Sequence, residues 1–260
     1  MRVTGHFGEW MQGCLGPGGP VVLVTLPCPV FAAEIVSTAG HFALDDPTGI
    51  LTDARARALL ATLGLPATGR HRLTLTMPAG GGAGASSAAL MALARSLGAR
   101  DPARITAAAL AVEGATDPLL FPHPERLLWA SRQGRILADL PALPQAEILG
   151  GFLGPGQRTD PADSAFPDIA DLVARWQRSE HLPAFADLAS ESARRTLALR
   201  GPRNDPTAAL ARSHGALGFV IAHTGSARSL IFAPGTASKA AEEDLRAAGF
   251  SRITRFLTGG

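Results

Sequence analysis

Apolar and polar positions alternate strictly along HRLTLTM, residues 71–77, which predicts a half-buried strand. Residues 21–37 are rich in Val, Ile, Phe and Thr and read as a buried strand, broken near Pro27 to Pro29 because proline cannot donate to a ladder. Between these two, DARARALLATL (53–63) sets Leu and Ala at helical spacing behind an Asp53 cap. A helix is expected from about Ser86 to Leu97, with Leu90, Leu93, Ala94 and Leu97 on one face. Asp101-Pro102 opens another, a cap followed by proline at the first helical position. That helix runs through Ile105, Ala109 and Val112 and stops at Glu113-Gly114.

Short strands follow at 135–139 and 146–152. GPGQRTDPAD (154–163), dense in Gly, Pro and Asp, reads as a linker and sets a boundary between residues 153 and 154. Beyond it the pattern predicts helices at 167–179, 184–199 and 206–215, strands at 218–224 and 229–234, a helix over 236–248 and a strand near 251–257. Strands mixed with helix pairs imply α+β layers rather than a regular βαβαβ winding.

Composition narrows the classes. Apolar residues make up 46% of the 260 and charged ones 18%, enough for a well-buried core. The net charge is +2, from 24 basic against 22 acidic groups, and no basic cluster is interleaved with aromatics. Nucleic-acid binding is therefore set aside. VVLVTLPCPVFAAEIV (21–36) is too short and too interrupted to span a bilayer. MRVTGHFGEW carries no apolar stretch of the signal-peptide kind, so a cytoplasmic protein with no membrane partner is expected. Cys14 and Cys28 fit neither a disulfide framework nor a zinc site.

The chemistry concentrates in PAGGGAGASSAAL, residues 78–90. A glycine-rich turn between a strand and a helix start is an anion site, because backbone N–H groups can approach phosphate oxygens there. The P-loop version needs a lysine, and none lies near. Gly80, Gly82 and Ala85 match the dinucleotide pattern, but that motif needs a second parallel strand where DPARITAAALAVEG is helical. A flexible glycine turn is the plain alternative.

The same stretch resembles the second motif of the GHMP kinase superfamily, P-x-x-x-G-x-G-S-S-A. Pro78, Gly82 and Gly84 fall in register, while the serine pair sits one place late, with Ala85 at the first serine position. AHTGSARSLIFAP (222–234) resembles the superfamily's C-terminal motif, a Gly/Ser turn between two strands that closes over the phosphates. TGHFGEWMQG and the strand after it resemble the opening of one branch, the L-threonine kinases of cobalamin synthesis, through Gly5, Gly8, Glu9, Gln12, Gly13, Thr25 and Pro27. AVEGATDPLLF (111–121) is similar to that branch's E-x-T-D segment with one extra residue, and Ala89 stands where the branch often has Asp.

The resemblance implies a GHMP kinase two-layer α+β fold, with a ribosomal-S5-like ATP-binding part over 1–153 and a ferredoxin-like part over 154–260. It implies ATP- and Mg²⁺-dependent phosphorylation of the L-threonine hydroxyl. Homoserine or another small alcohol is the rival acceptor, and a non-catalytic ligand-binding relative the rival from a different class. Pro78, Gly80, Gly81, Gly82, Ala83, Gly84, Ala85, Ser86 and Ser87 would cradle the phosphates, and Ser86 or Ser87 with Glu113 would hold the metal. Asp117 takes the place of the catalytic Asp, Glu9 and Gln12 would meet the substrate's ammonium, and Gly225 and Ser226 would lie against the substrate. Glu113 is also unusual on its own, since a carboxylate at a helix C-terminus is unfavourable by about 0.3–1 kcal/mol unless a cation faces it. His6, His214 and His223 read as packing or surface residues, and Trp10, Trp129 and Trp176 as core or cleft wall.

Overall fold

The longest strand, β2 (Val21–His41), runs without interruption through Pro27 and Pro29. The expected break does not occur, because Pro27 pairs with His6 in a stretch of β1 (Arg2–Cys14) whose register slips on either side of it. A proline costs a strand little where the ladder is already irregular. β1 itself carries no alternation to announce it. Its residues from Gly5 to Gly13 are buried on both faces, so every position reads as interior.

The structure, a computed structural model, describes residues 1–259. Eight further strands complete one sheet: β3 (Ala43–Asp45), β4 (Thr68–Leu75), β5 (Leu127–Ala130), β6 (Arg135–Asp139), β7 (Ala146–Phe152), β8 (Gly218–Ile221), β9 (Ala227–Phe232) and β10 (Ser251–Thr258). Their order is β10-β7-β9-β8-β1-β2-β4-β3, with β5 beside β2 and β6 beside β5. β7 pairs with both β9 and β10, so the sheet runs on across residue 153.

Helices α1 (Asp53–Leu63), α2 (Ala85–Ser96) and α3 (Pro102–Glu113) pack together, and α2 lies over β1 and β2. Ala85, Ser87 and every residue from Ala88 to Ala94 are buried, and the run of alanines lets α2 approach the sheet closely. Thr52, not Asp53, caps α1; its side chain accepts from Arg55 N, while Asp53 pairs with Arg57 in the first turn. Asp101 caps α3 as its sequence suggests, with bonds from Ala103 N and Arg104 N. Further on, α4 (Ala170–Trp176) rests on α5 (Leu182–Arg200), which covers β1 and β8. α6 (Thr207–Ser213) packs on β8 and β9, and α7 (Lys239–Ala247) on β7 and β10.

Trp10, Trp129 and Trp176 are fully buried, as expected of core tryptophans. Trp10 meets Trp176 edge-on at 6.1 Å, and Trp176 meets Phe185 at 4.7 Å. These rings tie β1 to α4 and α5 and so fix the strand that carries His6 and Glu9. A buried side chain the size of Phe contributes roughly 1.5–3 kcal/mol.

Candidate active site

After β4 the chain turns through the glycine loop into α2, and the loop is held by its carbonyls. Gly80 O accepts from Gln157 N at 2.8 Å, and Gly81 O accepts from Ser226 N and Ala227 N at 3.0 and 2.8 Å. Gly82 O accepts from Gly8 N at 3.3 Å, and Ala83 O from His6 N at 3.2 Å. By contrast, the N–H groups from Gly82 to Ser87 have no hydrogen-bond partner among the described residues. Those six residues line a cavity of about 480 Å³. Gly84, the residue before α2, is left-handed with φ 70° and offers no side chain to cap the helix. Unpaired amides at a buried helix N-terminus are an anion site.

Ser86 and Ser87 part company because successive helical positions point about 100° apart. Ser86 Oγ donates to Glu113 Oε1 and accepts from Arg55 Nη2 at 2.9 Å. Arg55 also pairs directly with Glu113, so the cation facing the end of α3 is a guanidinium. Ser87 turns the other way, toward the Asp117 carboxylate. Ser86 and Glu113 thus bring two hard oxygens together, which suits Mg²⁺, an ion that takes only one or two protein ligands beside phosphates and water. No cluster of three or more His, Cys, Asp or Glu side chains suited to a metal occurs among the described residues.

The irregular register of β1 aims two side chains into the same cavity. His6 Nε2 lies 3.6 Å from Asp117 Oδ2, and His6 Nδ1 lies 3.4 Å from Glu9 Oε1. Reading His6 as packing is therefore corrected: it stands between the two acids. Burial opposes its charge, yet Glu9 and Asp117 outweigh burial and raise it to about 9. Burial lifts the Glu9 carboxyl to about 8, with Asp117 adding to the rise and His6 opposing it. Burial would lift Asp117 too, but the His6 charge, with the polar groups of His6 and Ser87 facing the carboxylate, holds it below the usual carboxylate range.

One consequence can be measured. A histidine raised in the folded state stabilises it fully below about pH 6.5, and that contribution is lost as pH climbs through about 9. Glu9, raised to about 8, works in the same direction. Thermal melts should show Tm falling between pH 6.5 and 9, and His6→Gln should flatten that slope. An unchanged slope in the variant would remove His6 from the coupled set.

Other expected site residues lie elsewhere. Gln12 does not line the cavity; its Nε2 donates to Ile221 O at 3.0 Å, and its N donates to Ser192 Oγ at 2.9 Å. Gly225 and Ser226 also stay outside, and they press on the back of the glycine loop, where a Cβ on Gly225 would collide with Gly82 N. Pro78 shapes the turn by accepting from Gly81 N at 3.2 Å and does not line the cavity. His214 pairs with Asp244 at 2.9 Å on the surface, as expected of a bystander. His223, read as another bystander, lines the cavity and stacks on Phe166 at 4.1 Å.

The stretch read as a linker also lines it. Gln157 bonds the glycine loop, Arg158 Nη2 donates to Gly49 O at 3.1 Å, and Thr159 Oγ1 meets Thr224 Oγ1 at 3.0 Å. Its Gly, Pro and Asp content looks the same in a spacer as in a strap across a cleft.

No protein-family model matches the chain, and no curated protein matches it. Solved structures do. Mevalonate kinase from L. major, solved with R-mevalonate, aligns with a TM-score of 0.66 over 99% of this chain and 94% of its own, at 13% identity. A 4-(cytidine 5'-diphospho)-2C-methyl-D-erythritol kinase aligns at 0.59 over all of both chains, at 22% identity. A putative homoserine kinase from Listeria monocytogenes aligns at 0.59 over 99% and 95%, at 17% identity. The chain has the GHMP kinase fold. The α+β architecture implied by the glycine-loop motif is thus observed. Within this GHMP kinase fold, the loop, Asp117 and the Ser86–Glu113 pair all open on one cavity. No helix among the described residues is long and apolar enough to cross a membrane.

Proposed function

We propose that this protein is an ATP- and Mg²⁺-dependent kinase of a small alcohol, with L-threonine as the acceptor. The observation that carries the proposal is the loop whose carbonyls are all taken from behind, leaving the amides of Gly82 to Ser87 unpaired at the cavity wall. Phosphoryl transfer asks a protein mainly for positioning and charge neutralisation, and those amides do both for the phosphates. Ser86 and Glu113 would hold Mg²⁺, which when bound neutralises charge on the phosphate oxygens. Arg55 stands ready to offset charge beside it.

Asp117 orients the acceptor hydroxyl and takes its proton. Kept ionised by His6, it is a weak base, which suits a reaction in which the hydroxyl proton leaves late. Glu9 lines the same cavity, and its Oε2 has no partner among the described residues. An acceptor ammonium would supply that partner, which supports an amino-acid substrate. The GEWMQG opening, similar to that of the L-threonine kinases, favours threonine over homoserine.

The direct test incubates the protein with Mg-ATP and L-threonine, L-serine or L-homoserine and identifies phosphorylated product by mass. Phosphothreonine as the preferred product supports the proposal; phosphohomoserine would reassign the acceptor, and ATP binding without product would leave a binding protein. Glu113→Gln should raise the Mg²⁺ concentration for half-maximal turnover by roughly 10–100-fold. An unchanged metal titration would return Glu113 to a structural role beside Arg55.

A further inference from the structure

The cavity wall carries buried polar atoms with no partner among the described residues: Arg132 Nε, both ring nitrogens of His223, Ser131 Oγ, Thr116 Oγ1 and Glu9 Oε2. Buried polar groups in native proteins are nearly always hydrogen-bonded, so such a concentration marks a place built for a polar ligand.

Arg132 stands out among them because it is a cation whose guanidinium forms no ion pair among the described residues. Its Nη1 donates to Asp160 O at 2.9 Å and its Nη2 to Asp163 O at 3.2 Å. Two backbone carbonyls fix the guanidinium plane but leave three of its five N–H donors free. Asp163 turns its carboxylate to Arg200 instead, at 2.6 Å. His223 is only 9% exposed and lies flat on Phe166, which holds the ring in place. Burial, with the Arg132 charge next in weight, pushes it down to about 3, so it is a neutral ring that can donate one hydrogen bond.

Arg132 stands in a different electrostatic setting from Arg55. The charged neighbours of Arg55 are Glu113 and Arg158, whereas those of Arg132 are Asp163, Asp160 and Arg200. Asp117 joins the two, facing Ser87 of the loop helix and close enough to His223 for each to sense the other. We propose that Arg132 and His223 form the subsite for the acceptor's carboxylate, so that the site selects small hydroxy acids. The inference rests on the kinase reading above. A planar guanidinium fork matches a carboxylate's two oxygens, and the Glu9 carboxyl on the same wall suits the ammonium of an amino acid.

The test compares L-threonine, L-serine and L-homoserine with their carboxamides, by titration calorimetry and by turnover, in the full chain with Mg-ATP. The wild type should prefer each acid to its amide by about 10–100-fold, the range for losing a charge-assisted hydrogen bond. Arg132→Gln should weaken binding of the acids by a similar factor, leave the amides and the ATP dissociation constant unchanged, and be partly rescued by Arg132→Lys. His223→Phe should weaken the acids in the same sense but less. Equal affinity for acid and amide in the wild type, or equal loss of both in Arg132→Gln, would overturn the subsite. A variant that loses ATP affinity instead would move Arg132 to the nucleotide. If Mg-ATP binds but none of the acids does, the subsite fails, and phosphorylated product from a small alcohol without a carboxylate would then keep the kinase reading. If Mg-ATP does not bind, the kinase reading fails, and the acid and amide titrations still decide the subsite.

Discussion

Asp117→Asn is expected to lower kcat by about 10²–10⁴-fold, the range over which a positioned acid–base group contributes. The substitution keeps the size and shape of the side chain. An amide oxygen can still face Ser87, so the start of α2 should keep its geometry. What disappears is the charge of the group assigned to take the hydroxyl proton. His6, 3.6 Å away, would also lose its anion and move back toward its ordinary range. Mg-ATP affinity should change little, because the loop amides and the Ser86–Glu113 pair are not bonded to Asp117. The wild-type acid limb should lie low: Asp117 is held below its ordinary value, so the base stays ionised through the whole neutral range. Steady-state kinetics with an independent ATP titration check both halves. A variant within tenfold of wild type would end the role assigned to Asp117.

Asp117 and Glu113, named from the sequence, line the cavity together with His6, Arg55, Arg132 and His223, which the sequence does not single out as site residues, and the difference has a physical explanation. Glu113 ends a helix whose cap, periodicity and end are all local, and Asp117 is named through the resemblance of AVEGATDPLLF to a family segment that follows that helix. The glycine loop was legible for the same reason. His6 enters the site only because β1 slips its register against β2, and the strand hides that by being buried on both faces. Arg55 lies on α1, 58 residues before Glu113, and reads there as one more polar position on an amphipathic helix. Arg132 and His223 come from the ends of strands far apart in the chain, β5 and β8, and only the sheet order brings them to one cavity. A composition rich in Gly and Pro also cannot say whether residues 156–159 hang free or cross a cleft. The motifs pointed to the glycine loop; the Arg132 and His223 side of the cavity needed the three-dimensional sheet.

Gly82→Ala should abolish measurable Mg-ATP binding and lower Tm, although it adds a single methyl group. Gly82 has φ +76°, a left-handed backbone that costs an L-residue roughly 1–2 kcal/mol. Strain of that size alone corresponds to a Tm loss of about 2–8 °C in a chain of this length. The added Cβ would also collide with the Thr224 carbonyl oxygen and the Ala222 Cβ, which belong to the turn buttressing the loop from behind. Neither obstacle is the flexible end of a side chain, so relief requires backbone movement. The movement available is to push the loop off the turn, breaking the bonds from Ser226 N and Ala227 N to Gly81 O. The amides of Gly82 to Ser87 then lose the orientation that makes them an anion site. Gly16→Ala separates the two effects, since Gly16 is left-handed at φ +77° with open space where its Cβ would stand. It should lower Tm by the strain alone and leave ATP binding intact. Equal behaviour of the two variants in ATP titrations would mean that the glycine at 82 serves the turn and not the ligand. A loss confined to Gly82→Ala assigns the close packing of loop against turn to the phosphates.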